Sequence, residues 1–285
     1  MLKVDIVCPI YKDVDEIKSF IKSLKTQKNI EIGNIILPHT LSSNKENEEI
    51  RKVINYKKVI YFKVDQKDFS HSLTRQKAVE EYCMSPIVVF CSQDITFNDS
   101  NSIYNLASNI NDEIVYAYGR QICTKNTIEK YIRQKNYGNF NIIVSKEDID
   151  KLQIMAFFAS DAFSAINREV FIKLNGYQGY NVNMNEDQLY SKIVLDNGYK
   201  KMYVANAIVN HFHKYTLKQL YTRYYNAGKF YKDVKIFDEY KTNESGIKLG
   251  FYVLKQALKH FNIKVILRWP FDMGARYFGM KKGRK

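Results

Sequence analysis

Four times in the first 97 residues an apolar run of β character alternates with a segment of helical spacing. No other feature constrains the fold as strongly. Residues 3–9 read as a strand (Val4, Ile6, Val7) halted by Pro9, and residues 15–24 place Ile17, Phe20, Ile21 and Leu24 at helical spacing. Strands at 32–37 and 59–64, helices at 46–54 and 74–82, and a fourth strand from Ile87 follow. This order predicts an α/β domain of Rossmann-like type with a mostly parallel central sheet. The first strand is not followed by GxGxxG, so a dinucleotide fingerprint is absent and a mononucleotide or nucleotide-sugar fits better.

Residues 88–97 (Val-Val-Phe-Cys-Ser-Gln-Asp-Ile-Thr-Phe) begin as a strand buried on both faces and break at one carboxylate, Asp94. The carboxyl ends of such strands are where open α/β sheets bind ligands. A second polar segment, residues 38–44, is expected to be a loop. In a third, residues 69–76, Ser72 is placed to cap a helix whose free N–H groups suit a phosphate. Arg75 in that first turn opposes the helix dipole, which calls for a ligand phosphate, a buried carboxylate or escape to solvent.

Beyond residue 110 the alternation becomes irregular. A short strand at 116–121, an inserted loop or short helices at 125–150, a core-crossing segment at 157–166 and a short helix at 169–174 are expected. Asn185 with Gln188 forms a capping-box pattern ahead of a helix, where Glu186 and Asp187 are ordinary dipole complements or catalytic acids. A strand over 201–213 places His211 and His213 two residues apart, on one face, an arrangement that suits a metal. Helices at 215–231 and 247–261 lead to a tail, 265–279, in which Trp269 and Tyr277 lie among cations. That mixture fits either a bilayer interface or a helical hairpin packed on the main domain.

With 45% hydrophobic and 26% charged residues among 285, the chain can bury a substantial core. No apolar run reaches the roughly 18 residues of a spanning helix, and a soluble or peripheral cytoplasmic protein is expected. Cys8, Cys83, Cys91 and Cys123 lack paired spacing, so neither zinc nor disulfides are implied. The net charge is +14, but the last 45 residues hold eleven Lys/Arg against Glu244 and Asp272, a net of +9. A basic tail of this kind points to anionic phospholipid rather than nucleic acid.

Taken in order, six blocks resemble one family over residues 3–231: Phe69-Ser70-His71-Ser72-Leu73-Thr74-Arg75-Gln76; Ser92-Gln93-Asp94-Ile95; Tyr118-Gly119-Arg120-Gln121; the 157–166 segment; Glu186-Asp187-Gln188; and the strand end at His211 and His213. The chain resembles inverting family 2 glycosyltransferases of GT-A fold, in their bacterial rhamnosyltransferase branch. The resemblance implies a GT-A domain over 1–231 and a basic, aromatic helical extension over 232–285 for membrane association or oligomer packing. It also implies a nucleotide-sugar donor, in the first instance dTDP-rhamnose, a lipid-linked oligosaccharide acceptor at the inner membrane face, and a homodimer as one assembly. A UDP-sugar donor is the alternative, and a non-catalytic basic binder a more distant one.

Chemistry and resemblance together assign Asp94, His211 and His213 to a divalent cation, Mn²⁺ before Mg²⁺. Asp187 becomes the general base, with Glu186 beside it. Donor contacts are expected at Pro9, Tyr11, Asp65, His71, Arg75, Gln93 and Arg120, and acceptor contacts at Tyr118, Asp161 and Gln188. Two departures stand out. Residues 39–43 lack the acidic, serine-rich character usual after the second strand, and Ser72 and Gln76 replace Gly and Asn.

Overall fold

A computed structural model describes residues 1–54, 58–240 and 243–285, side chains of 243–245 excepted. The chain forms two compact units. One comprises Met1–Gln121, Asn139–Asp148 and Phe157–His211; the other comprises Ile122–Gly138, Ile149–Ala156 and Phe212–Lys285. The division expected at residue 231 falls instead inside a helix, Leu217–Asp233.

The first unit is built on a sheet of order β3-β2-β1-β4-β8-β6-β9-β5, with β7 on β9. Its strands are β1 (Leu2–Val7), β2 (Ile30–Thr40), β3 (Val59–Val64), β4 (Ile87–Cys91), β5 (Ile95–Phe97), β6 (Ile114–Ile122), β7 (Ile142–Val144), β8 (Phe163–Asn167) and β9 (Lys200–His211). The strands β1 to β4 pair in parallel, as their intervening helices α1 (Val14–Leu24), α2 (Asn44–Val53) and α3 (His71–Tyr82) require. Past β4 the regular crossovers stop, and β8, β5 and β7 join antiparallel, so the sheet as a whole is mixed.

β4 is buried on both faces, as its sequence predicts. Ile87, Val89 and Cys91 enter a core with Ile17, Phe20, Ile21 and Leu24 of α1 and with Ile103, Leu106 and Ala107 of α4 (Ser102–Ala107). On the other face Phe90 meets Phe171 of α7 (Arg168–Lys173) edge-on at 6.1 Å. β2 runs further than expected: Pro38, His39 and Thr40 pair with Phe62, Lys63 and Val64. His39 is fully buried, its Nδ1 lies 2.7 Å from the Tyr61 hydroxyl, and burial lowers its pKa to about 4. The expected polar loop therefore begins only after Thr40.

The second unit contains α5 (Ile128–Asn136), α6 (Ile149–Leu152), α9 (Leu217–Asp233), α10 (Asn243–Lys259) and α11 (Ile263–Gly283). Ile128, Tyr131, Ile132, Val253, Ala257 and Val265 form its core. A Cβ added at Gly279 or Gly283 of α11 would meet the Tyr221 or Tyr225 carbonyl of α9, so these helices lie backbone to backbone. Residues 265–279, expected to form a bilayer-interface tail or a helical hairpin, are the middle of one 21-residue helix. Its outer side, like that of α10, stays apolar and open: Ile247, Phe251, Leu258, Ile263, Leu267, Phe271 and Phe278 are 54–68% exposed.

Candidate active site

Strand order reverses at β1, where β2 and β4 flank it on opposite sides, and a crevice at that point is where α/β sheets take ligands. Two loops leave the carboxyl ends of β1 and β4 there, and Gln93 joins them. Its Nε2 donates to the Tyr11 carbonyl (3.0 Å) and to Glu16 (2.9 Å), while its Oε1 accepts the Tyr11 N–H (2.7 Å). Gln66, next to the exposed Asp65 at the end of β3, donates to the Tyr11 hydroxyl at 3.4 Å. Pro9, Tyr11, Asp65 and Gln93 thus gather at one end of the sheet. The Gln93 amide, however, is spent on the loops rather than left for a donor.

Asp94 is held opposite β9, because the next residue, Ile95, is in register with His211. Asp94 Oδ2 and His211 Nε2 lie 3.2 Å apart. The other ring nitrogen, Nδ1, lies 2.7 Å from Gln121 Oε1, and Gln121 Nε2 donates to Ser160 Oγ at 2.7 Å. That amide orientation makes His211 Nδ1 the donor, so in the neutral ring Nε2 turns a lone pair toward a carboxylate, while a protonated ring pairs with it. Two acceptors facing each other at this distance form a donor set for a hard or borderline cation, with a buried amide fixing the tautomer. β9 ends at His211, so the strand argument for His213 does not apply. His213 lies in the second unit, its ring stacked on Tyr215 at 4.9 Å.

The acidic cluster is organised around α8 (Glu186–Asp196). Asn185, in the left-handed region at φ 58°, makes no side-chain cap, so the expected capping box is absent. The Asp187 carboxylate instead accepts the Gln188 N–H at 2.8 Å. Arg75, only 2% exposed, donates to Glu186 at 2.9 Å. Burial works against its charge, but Glu186 and Asp161 outweigh that and raise its pKa. Of the compensations the sequence allowed for Arg75, the structure selects the buried carboxylate. His71 lies 3.9 Å from the same Glu186 oxygen.

The expected phosphate cradle at the start of α3 is occupied from within. Ser70, not Ser72, caps the helix by accepting the Leu73 N–H, and the Ser72 N–H donates to the Val182 carbonyl. Ser72 Oγ binds the Tyr180 carbonyl (2.6 Å) and the Val182 N–H (3.0 Å), so it anchors the segment leading into α8. Gln76 Oε1 accepts the Tyr177 N–H in the same way. The two departures from the family pattern are packing residues.

Asp161 also differs from expectation. It is 1% exposed and accepts the hydroxyls of Tyr116 (2.8 Å), Ser164 (2.7 Å) and Tyr177 (3.0 Å), which leaves it no open side for an acceptor. Asp187 forms no ion pair among the described residues. Burial first, then the charges of Glu186 and Asp161, push its carboxyl well above the usual range.

Tyr118 packs edge-on against Phe158 at 5.8 Å and beneath the Lys201 ammonium. Lys201 is itself buried and donates to the Phe158 carbonyl at 2.6 Å. Burial drives its pKa well down, and Asp187 is the charge that favours its proton. Arg120 is half-buried, and its Nε–H lacks a partner among the described residues.

No family model matches the chain. Over 233 residues it is 31% identical to the O-antigen chain rhamnosyltransferase RfbN of Salmonella typhimurium, covering 81% of this chain and 73% of that protein. The chain belongs to this O-antigen rhamnosyltransferase family. The rhamnosyltransferase WbaN of Salmonella anatum is 36% identical over 171 residues, 59% of this chain and 54% of its own length. Solved glycosyltransferases share the GT-A fold of this rhamnosyltransferase family member at low identity. The mannosyltransferase PcManGT of Pyrobaculum calidifontis, in complex with GDP-Man and Mn²⁺, has a TM-score of 0.59 at 11% identity, covering 98% of this chain and 86% of its own. GalNAc-T7 with UDP, GalNAc and Mn²⁺ has a TM-score of 0.57 at 13% identity, covering 75% and 44%. The protein is a glycosyltransferase.

In this rhamnosyltransferase family member the sequence reading gave no role to Gln121, Tyr116, Tyr177 or Lys201. A signal existed for Lys201, which shares the strand phase of Tyr203, Ala205, Ala207 and Val209, all buried. For Gln121 no local signal existed, because its partners Ser160 and His211 lie 39 and 90 residues away.

Proposed function

We propose that the protein transfers rhamnose from dTDP-rhamnose to a saccharide hydroxyl of a lipid-linked surface-polysaccharide precursor, with inversion at the anomeric carbon. The observation that carries this reading is the unequal treatment of two adjacent carboxylates. Glu186 neutralises Arg75, whereas Asp187 has no ion pair among the described residues and is held by burial, Glu186 and Asp161 well above the usual carboxylate range. Asp187 takes the acceptor proton, the acceptor oxygen bonds the anomeric carbon, and the bond to the donor phosphate breaks on the opposite side. Asp94 and His211 would hold a divalent cation. When bound, that cation neutralises leaving-group charge. Arg120, whose Nε–H lacks a partner among the described residues, contacts the donor. Arg75, Glu186, Gln93 and Asp161 position the site.

Asp187→Asn tests the base. Donor-nucleotide binding is expected to persist while turnover falls by about 10²–10⁴-fold, the usual worth of a general base; undiminished turnover refutes the assignment. A nucleotide panel titrated with Mn²⁺ and with chelator identifies the donor, and preference for uridine over deoxythymidine diphosphate would change the sugar but not the chemistry.

The reading includes attachment to an anionic membrane surface through the open faces of α10 and α11. No helix among the described residues is long and apolar enough to cross a membrane.

A further inference from the structure

The second unit contains a cavity of about 180 Å³. We propose that it anchors the phosphate ester of a phosphorylated acceptor, an inference that rests on the glycosyl-transfer reading.

The charge balance of the lining supports an anionic ligand. Two carboxylates face the cavity, and both are already matched. Arg276 binds Glu129 at 3.0 Å and Asp272 at 2.7 Å, and Arg268 approaches Asp272 at 3.5 Å. Burial alone would raise the Glu129 carboxyl, but Arg276 and Arg133 outweigh it and keep the group ionised. Lys214 and Lys264 also line the cavity and have no ion-pair or hydrogen-bond partner among the described residues. The lining therefore holds two surplus positive charges.

Backbone polarity adds to them. α5 and α11 both begin at the cavity, and their starts are tied by Asn262 Nδ2 donating to Asn126 Oδ1 at 2.6 Å. Thr127, the N-cap of α5, makes no side-chain capping bond. Lys264 stands in the first turn of α11, where a cation opposes the helix dipole. Asn262 already caps α11 by accepting the Val265 N–H at 3.4 Å, so the start of α5 is the one without a side-chain cap, and an anion bound there would pair with the exposed Lys264.

Phe212, Leu220 and Val265 give the cavity an apolar wall, which suits an ester with an organic body rather than a bare ion. The volume is about 12–18 times what a single water needs (roughly 10–15 Å³), so a phosphoryl group and its first ester atoms fit. Residues 212–215, which line it, continue the chain directly from His211.

Calorimetric titration of the full chain in chelator, where metal-dependent nucleotide binding is silent, tests the site with inorganic pyrophosphate, galactose 1-phosphate and farnesyl diphosphate. Saturable binding of an organic phosphate is expected. Lys264→Glu should weaken it at least tenfold without lowering Tm, because an acid suits that helix start. Preference for farnesyl diphosphate assigns the phosphate to a lipid carrier, and preference for galactose 1-phosphate assigns it to the saccharide. Absence of binding by all three probes, or undiminished binding in both Lys264→Glu and Lys214→Glu, overturns the proposal. Nucleotide titration in Mn²⁺ reports on the transfer reading separately, so the two can fail independently.

Discussion

Glu186 and Asp187 are adjacent in sequence and opposite in electrostatic situation. Arg75 lies 2.9 Å from Glu186, while burial, Glu186 and Asp161 all press the Asp187 proton to stay on. A carboxyl whose folded pKa is raised stabilises the fold only while protonated, below its unfolded pKa, and that contribution is lost as pH rises through the folded pKa. On the proposed assignment, ionised Asp187 is thus a stability cost retained at the pH where it would act as a base. Asp187→Asn should raise Tm at neutral pH, with the gain vanishing in acid, and the acid limb of wild-type kcat/KM should lie above the usual carboxylate pKa of about 3.9. A limb at or below that value, or a less stable variant at pH 7, contradicts the account. Gln121 invites a different measurement. Gln121→Leu removes the acceptor that fixes the His211 tautomer, and outer-shell losses of this kind weaken metal binding about 10–100-fold. Unchanged Mn²⁺ affinity in the nucleotide-free protein would remove Gln121 from the site.

At the scale of elements, α11 shows one helix serving two environments. Gly279 and Gly283, four residues apart, share the face that meets α9, while Leu267, Phe271 and Phe278 lie on the other. Gly283→Ala puts a methyl into the Tyr225 carbonyl and should lower stability by about 1–3 kcal/mol in urea unfolding, as overpacking does. An unshifted midpoint would show that the two helices separate freely. The same contrast explains what the sequence made legible. β1 to β4 and their helices follow from local periodicity, and β4 with Asp94 at its end was readable from one apolar run. The pairing of β5 with β9 was not, because a three-residue strand carries no local signature and its partner lies more than a hundred residues away. Arg75 was visibly misplaced against its helix dipole, but only the fold reveals that Glu186, 111 residues on, is its partner. Asp161 looked like a contact residue because hydroxyls from three separate positions, which no spacing connects, converge on it.

For the molecule as a whole, the distribution of charge matters more than its sum. Of the net +14, +9 lies in the last 45 residues, which also carry the open apolar stripes of α10 and α11. Lys255 and Lys259 punctuate the stripe of α10, and Lys264, Arg268, Lys281 and Lys282 that of α11. Nucleic acid needs the cations but not Phe251, Leu267 or Phe271 held open. A bilayer interface uses both, through attraction of about 1 kcal/mol per Lys or Arg near an anionic surface and through burial of apolar side chains worth about 1.5–3 kcal/mol each. The protein should therefore sediment with vesicles containing phosphatidylglycerol and much less with purely zwitterionic ones, and the difference should shrink at high salt. Phe251→Asp combined with Leu267→Asp and Phe271→Asp should abolish binding at either salt concentration, because the charges alone hold the protein only at a distance. If the triple variant still binds anionic vesicles like the wild type, attachment is electrostatic alone. If instead wild type is a dimer in solution that the triple variant dissolves, and vesicles bind neither, the stripes join two copies of the chain and the membrane assignment falls.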